Sequence, residues 1–259
     1  MAKYFKPKPP NAPALWHNEN GFKYALFPAK MEKPQQLVIY LHGFGSNAEI
    51  NENFVQSMHD KLPGADIISL QAPIRMTLLA FLNDNPDRGY SWLHFGQSVR
   101  SHLFNRLSIA RKVEKFARAE LKKRGLTEDN LAYFGTSMGG MVVLQAALSG
   151  NNKPPAAVVS RSGAVLPFTK VRSKTDVFLQ IGEEDKLFYG SPAPKGFLER
   201  IFSSVAGKFS LRHGRSVERL KKQGVSLTQK IYAKQGHTLN LEAWNDSMEF
   251  IAKAFAARP

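Results

Sequence analysis

Short apolar runs of strand character alternate along this chain with stretches of helical periodicity, and that alternation restricts the fold to a mostly parallel sheet covered by helices. The runs are QLVIYL (36–41), ADIISL (65–70), NLAYF (130–134), AAVVS (156–160), DVFLQI (176–181) and SLTQKIY (226–232), with GFKYALF (21–27) as an antiparallel edge. Between them Ile109, Val113, Phe116 and Leu121 recur at helical spacing, as do Trp244, Met248, Ile251 and Phe255. The 259 residues, 43% of them hydrophobic, suffice for one large domain with a core on both faces of such a sheet. The expected architecture is a single α/β domain over 21–259, with about seven strands in a central sheet and helices on both faces. Residues 1–20 read as a flexible, basic and proline-rich lead-in, and the loops at 71–98 and 186–195 are long enough to be functional.

The chain has no cysteine, which excludes disulfides, thiolate chemistry and Cys-ligated metals. Its first residues, MAKYFKPKPPNAP, lack the apolar core of a signal peptide, and no later run is long enough to cross a bilayer, so a soluble, cytoplasmic protein is expected. The net charge is +15, from 36 Lys and Arg against 21 Asp and Glu. Most of it sits in two stretches that read as amphipathic helices. Residues 100–125 hold nine basic and two acidic residues, and residues 195–222 hold eight basic and two acidic. Such helices would draw an anionic lipid or acyl-CoA toward the protein. Nucleic acid is not an expected partner, because the cations are not interleaved with the aromatics of a stacking platform.

One pentapeptide carries chemistry. Gly135-Thr136-Ser137-Met138-Gly139 follows a strand pattern and opens a helix pattern, the context of a nucleophile elbow. A serine on a sharp strand-to-helix turn brings its neighbours two positions away close together, so small residues fit there. The turn aims the Met138 N–H and the positive end of the helix at an oxyanion formed beside Ser137. A serine hydroxyl also needs a base, and the base a carboxylate.

With this elbow the partners follow in the order serine, acid, histidine. Of the seven histidines only His213 and His237 follow Ser137. His213 lies in the basic stretch LRHGRSVERLKK and reads as a solvated surface residue, whereas His237, in KQGHTLN, lies just past the last strand. Asp185 ends DVFLQIGEED at the carboxyl edge of a strand and is the favoured acid; Asp176 begins that strand at the opposite edge, and Glu183 and Glu184 are the other acids nearby. The loop His42-Gly43-Phe44-Gly45 follows an early strand, so the Phe44 N–H is the expected second oxyanion donor and His42 a brace for the loop.

The blocks LHGFGSN (41–47), QAP (71–73), YSW (90–92), GTSMGG (135–140), SG with a following LP (162–167), GEED (182–185) and GHTL (236–239) occur in an order that resembles the phospholipase/carboxylesterase group of α/β-hydrolases, which includes the acyl-protein thioesterases. The resemblance spans roughly residues 21–255. It implies the α/β-hydrolase fold, Ser137 as nucleophile, Asp185 and His237 as its partners, Phe44 and Met138 as oxyanion donors, and hydrolysis of an ester or thioester of short to medium acyl chains. No metal or organic cofactor is implied. Asp185 and His237 stand further apart than this family usually shows, which points to an inserted segment near 188–213 that could cap the site. Leu78, Leu79, Phe81 and Trp92 are the expected walls of an acyl pocket, with ordinary core packing as the competing role. Two other classes remain: a serine peptidase on the same triad, and an anionic-membrane or nucleic-acid binder on a hydrolase scaffold.

Overall fold

A computed structural model of the chain describes residues 12–76, 89–93, 99–150, 153–165, 169–189, 212–238 and 240–258. The strands are β1 (Leu15–Glu19), β2 (Phe22–Phe27), β3 (Gln36–Leu41), β4 (Ala65–Leu70), β5 (Ile74–Arg75), β6 (Tyr90–Ser91), β7 (Leu131–Thr136), β8 (Ala157–Arg161), β9 (Asp176–Gly182) and β10 (Leu227–Tyr232). The helices are α1 (Glu52–Lys61), α2 (Val99–Arg124), α3 (Met138–Ser149), α4 (His213–Lys222) and α5 (Leu241–Ala256). Eight strands form one sheet in the order β1-β2-β4-β3-β7-β8-β9-β10. From β4 onward every pairing is parallel, while β1 and β2 join antiparallel at one edge. This is an α/β-hydrolase architecture.

Period-two alternation along the strands feeds two cores. Leu37, Ile39, Tyr133 and Val158 pack with Val113 and Phe116 of α2, Val143 of α3 and Leu220 of α4 on one face. Val38, Phe134 and Val159 pack with Met58 of α1 and with Trp244, Met248 and Ile251 of α5 on the other. The central strands are therefore largely apolar, because a strand covered on both sides has no solvent face to mark with polar residues. Helix α3 is apolar around nearly its whole circumference for a related reason: it lies between the sheet and α2, and Met138 to Leu148 are all buried, with Gln145 the one polar side chain among them.

The expected lead-in over 1–20 requires correction at its far end. Leu15–Glu19 form β1, an eighth strand paired with β2 through a two-residue turn at Asn20-Gly21, both with positive φ (51° and 83°). Asn-Gly is the favoured pair for that hairpin turn. The strand escapes an apolar-pattern search because it is an exposed edge, with four of its five residues open to solvent. The inserted segment near 188–213 lies for the most part outside the described residues.

A charged network fixes the basic end of α2 to the sheet. Arg124 donates from Nε to Asp66 Oδ2 and from a terminal nitrogen to Glu120 Oε2, both at 2.8 Å, and Asp66 Oδ1 accepts the Ala29 N–H. Glu120 is only 1% exposed. Removing the cation leaves buried carboxylates undercompensated. Arg124→Ala is expected to lose about 3 kcal/mol of stability in urea melts, against less than about 1 kcal/mol for Lys123→Ala, whose ammonium is half in water.

Candidate active site

Strand β7 ends at Thr136 and α3 begins at Met138, so Ser137 alone makes the turn, with φ 54° and ψ −117°. A non-glycine residue in that region costs about 1–3 kcal/mol and needs outside support. The support is visible. The Ser137 N–H donates to Arg161 O at 2.7 Å across the sheet, and Ser137 O accepts the Met141 N–H at 3.1 Å. The flanking glycines are sterically required: a Cβ on Gly135 would stand 2.5 Å from the Gly139 carbonyl carbon, and one on Gly139 would collide with the Leu41 carbonyl.

Three side chains meet at this turn. His237 Nε2 lies 2.8 Å from Ser137 Oγ, and His237 Nδ1 lies 2.8 Å from Asp185 Oδ2. Asp185 is fully buried, three residues past the end of β9, and its Oδ1 accepts the Leu187 and Phe188 N–H groups at 2.9 and 3.2 Å. With one oxygen committed to the backbone, the other is aimed at the imidazole. The ring of Phe188 flanks His237 at 5.6 Å between centroids. Glu183 instead accepts the Lys234 N–H, which leaves Asp185 as the acid bonded to His237.

The loop after β3 stands against the serine. A Cβ on Gly43 would lie 3.5 Å from Ser137 Cβ, and Gly43, Phe44, Ser137 and His237 line one cleft of about 350 Å³. Met138 opens α3, so its N–H is one of the first-turn donors that the helix does not use. The loop is zippered to residues 89–90 by the bonds Gly45 N to Tyr90 O and Tyr90 N to Ser46 O. His42 braces it from below: Nδ1 donates to Gly43 O at 2.7 Å, and Nε2 accepts the Ala72 N–H at 3.2 Å. Only the neutral ring satisfies both bonds, and burial pushes the His42 pKa down to about 4.

An unfolded histidine titrates near 6.5, so below that pH the unfolded chain takes up a proton that the folded His42 refuses. Stability is therefore retained above about pH 6.5 and lost as the pH falls toward 4. The contribution of His42 at pH 4.5 is about 2–3 kcal/mol. It is expected as the difference in pH slope between wild type and His42→Gln in denaturant titrations at pH 7 and 4.5.

The remaining predicted positions separate. Trp92 is buried, donates from Nε1 to His42 O at 2.8 Å and belongs to the core beneath the loop, not to the cleft wall. Leu78, Leu79 and Phe81 lie outside the described residues. His213 is not a solvated surface residue: it is 3% exposed, in line with Ser216, Val217 and Leu220 on the inner face of α4. Spacings of three, four and seven put it on that face, with Arg215, Arg219 and Lys222 elsewhere on the helix. Burial lowers its pKa to about 4.

Several residues of the cleft are absent from the sequence-based site, among them Tyr40, Trp244 and one buried cation. Arg161 ends β8 and lines the same cleft as Ser137 and His237, only 4% exposed. Its signal in the sequence is a lone arginine closing a short buried-type strand, in VVSRSG.

Comparison with known proteins places the fold and the family. The chain resembles the solved structure of esterase PE8 at 21% identity, over 88% of this chain and 97% of that one, with a TM-score of 0.67. It resembles a carboxylesterase from Mesorhizobium loti at 17% identity, over 95% and 99%, with a TM-score of 0.64. The carboxylesterase of Bacillus cereus matches at 15% identity, over 90% and 94%, with a TM-score of 0.62. At these identities the likeness speaks to the fold. The family is carried by the sequence itself: residues 23–188, more than half of the chain, match the phospholipase/carboxylesterase family model, a span that holds Ser137 and Asp185 and ends before His237. The chain therefore belongs to the phospholipase/carboxylesterase family of hydrolases.

Proposed function

We propose that this protein is a serine carboxylesterase that cleaves esters of short to medium acyl chains through an acyl-enzyme, with thioesters as a further substrate class. The observation that carries the reading is the unbroken hydrogen-bonded series Asp185–His237–Ser137, with the serine held in a strained turn at the floor of a cleft.

His237 Nε2 takes the hydroxyl proton as Ser137 Oγ bonds to the ester carbonyl carbon. Asp185 holds the ring by its Nδ1–H and stabilises the imidazolium. The oxyanion is met by N–H groups of Met138, at the positive end of α3, and Phe44. As the intermediate collapses the C–O bond to the leaving group breaks, and His237 delivers its proton to the departing alcohol. Water, deprotonated by the same imidazole, then attacks the acyl-enzyme carbonyl and releases the carboxylic acid and free Ser137. The modest cleft supports a small acyl group over a long one.

A p-nitrophenyl ester series from acetate to palmitate tests this. Hydrolysis is expected to peak among the short to medium chains and fall toward palmitate; an inert protein across the series would overturn the reading.

A further inference from the structure

A buried cation in the cleft wall is left without a task by the acyl-transfer scheme. Arg161 is the register partner of Thr136, and its own carbonyl holds the Ser137 N–H. Along β8, Ser160 lies toward Gly140 of α3, while Arg161 lies toward α5. Its guanidinium carbon sits 5.1 Å from the centre of the Trp244 ring and 5.9 Å from that of Phe134, and a terminal nitrogen donates to Asn240 O at 3.4 Å. Asn240 also caps α5 by accepting the Ala243 N–H, so this anchor is itself fixed.

Holding a charge here is costly. Burial pushes the Arg161 pKa down to about 10, with the phenols of Tyr40 and Tyr232 offsetting part of the effect, and the group stays protonated at neutral pH. For packing alone, an apolar side chain of similar volume would serve as well or better. What the arginine adds is a permanent planar cation, stacked on aromatic rings in the wall of the cleft that holds Ser137. Its fork matches a carboxylate. Glu49 also lines the cleft, but it is exposed and its field is screened by water.

We propose that Arg161 is the specificity-determining residue of the cleft and binds a carboxylate borne by the substrate. The preferred esters are then monoanions: half-esters of dicarboxylic acids, with the charge on the acyl side, or acyl esters of hydroxy acids, with the charge on the alcohol side. Neighbouring strands lie about 4.8 Å apart, so a spacer of a few bonds links the scissile carbonyl to the charge. This inference rests on the hydrolase reading above and names its substrate class.

The test compares monoethyl adipate with ethyl hexanoate for the acyl side, and 4-acetoxybutanoate with butyl acetate for the alcohol side, followed by pH-stat titration. In the wild type kcat/KM is expected to favour the anion by roughly tenfold or more on one arm. In Arg161→Gln that ratio is expected to fall by roughly 10- to 100-fold, and in Arg161→Lys by less, since lysine keeps the charge without the fork. Calorimetric binding of adipate, expected for the wild type and not for Arg161→Gln, reads the site without turnover and, in the wild type, without any variant having to fold. No anion preference on either arm together with no adipate binding overturns the proposal, as does a preference unchanged in a folded Arg161→Gln. If adipate binds while no ester is hydrolysed, the carboxylate site stands and the hydrolase reading fails.

Discussion

Replacing Ser137 by alanine is expected to lower kcat for p-nitrophenyl ester hydrolysis by roughly 10⁴-fold or more. The change removes one oxygen atom, and with it the only atom of residue 137 that His237 Nε2 addresses. The turn itself survives, because it is held by the Ser137 N–H to Arg161 O and by the Met141 N–H to Ser137 O, both backbone bonds. Thermal unfolding should therefore stay close to that of the wild type. A fluorophosphonate probe should label the wild type stoichiometrically and the variant not at all. Hydrolysis and labelling that persist in a carefully purified Ser137→Ala would remove this serine from the chemistry.

The sheet was legible because its strands are buried on both faces and run mostly apolar, as ADIISL does in β4, where every residue is buried and only Asp66 and Ser69 are polar. The meeting of Ser137, Asp185 and His237 was legible for a different reason. Each follows the carboxyl end of a parallel strand, β7, β9 or β10, and such ends gather at one edge of the sheet.

The losses also have causes. Strand β1 has no apolar pattern because an edge strand need not bury one, and its Asn20-Gly21 turn was the signal to weigh instead. His213 departs from the surface expectation because helical phase, not local charge, sets its burial: α4 keeps Arg215, Lys221 and Lys222 exposed while turning this histidine in. Trp92 shows the limit of reading pocket walls from hydrophobicity: one indole serves a cleft or the floor beneath a loop equally well, and only its bond to His42 O distinguishes them. Arg161 was passed over because strand periodicity treats a charged residue as the end of a strand, not as its inward-facing last member.

Asp185→Asn separates two roles that the structure gives one residue. Asp185 caps its own turn, with Oδ1 taking the Leu187 and Phe188 N–H groups, and it also holds His237 through Oδ2. In the asparagine variant the two backbone donors require the amide oxygen on their side, since the opposite flip would set N–H against N–H. The amide NH₂ is then presented to His237 Nδ1, which must accept, and the ring proton moves to Nε2. A ring protonated at Nε2 cannot take the proton of Ser137. Turnover is accordingly expected to fall by roughly 10³- to 10⁴-fold with KM and thermal stability little changed, because the cap is preserved. Full activity in Asp185→Asn would mean that this residue is a turn cap and no more, and that Glu183 or Glu184 orients the imidazole; parallel losses of stability and activity would assign it to the fold.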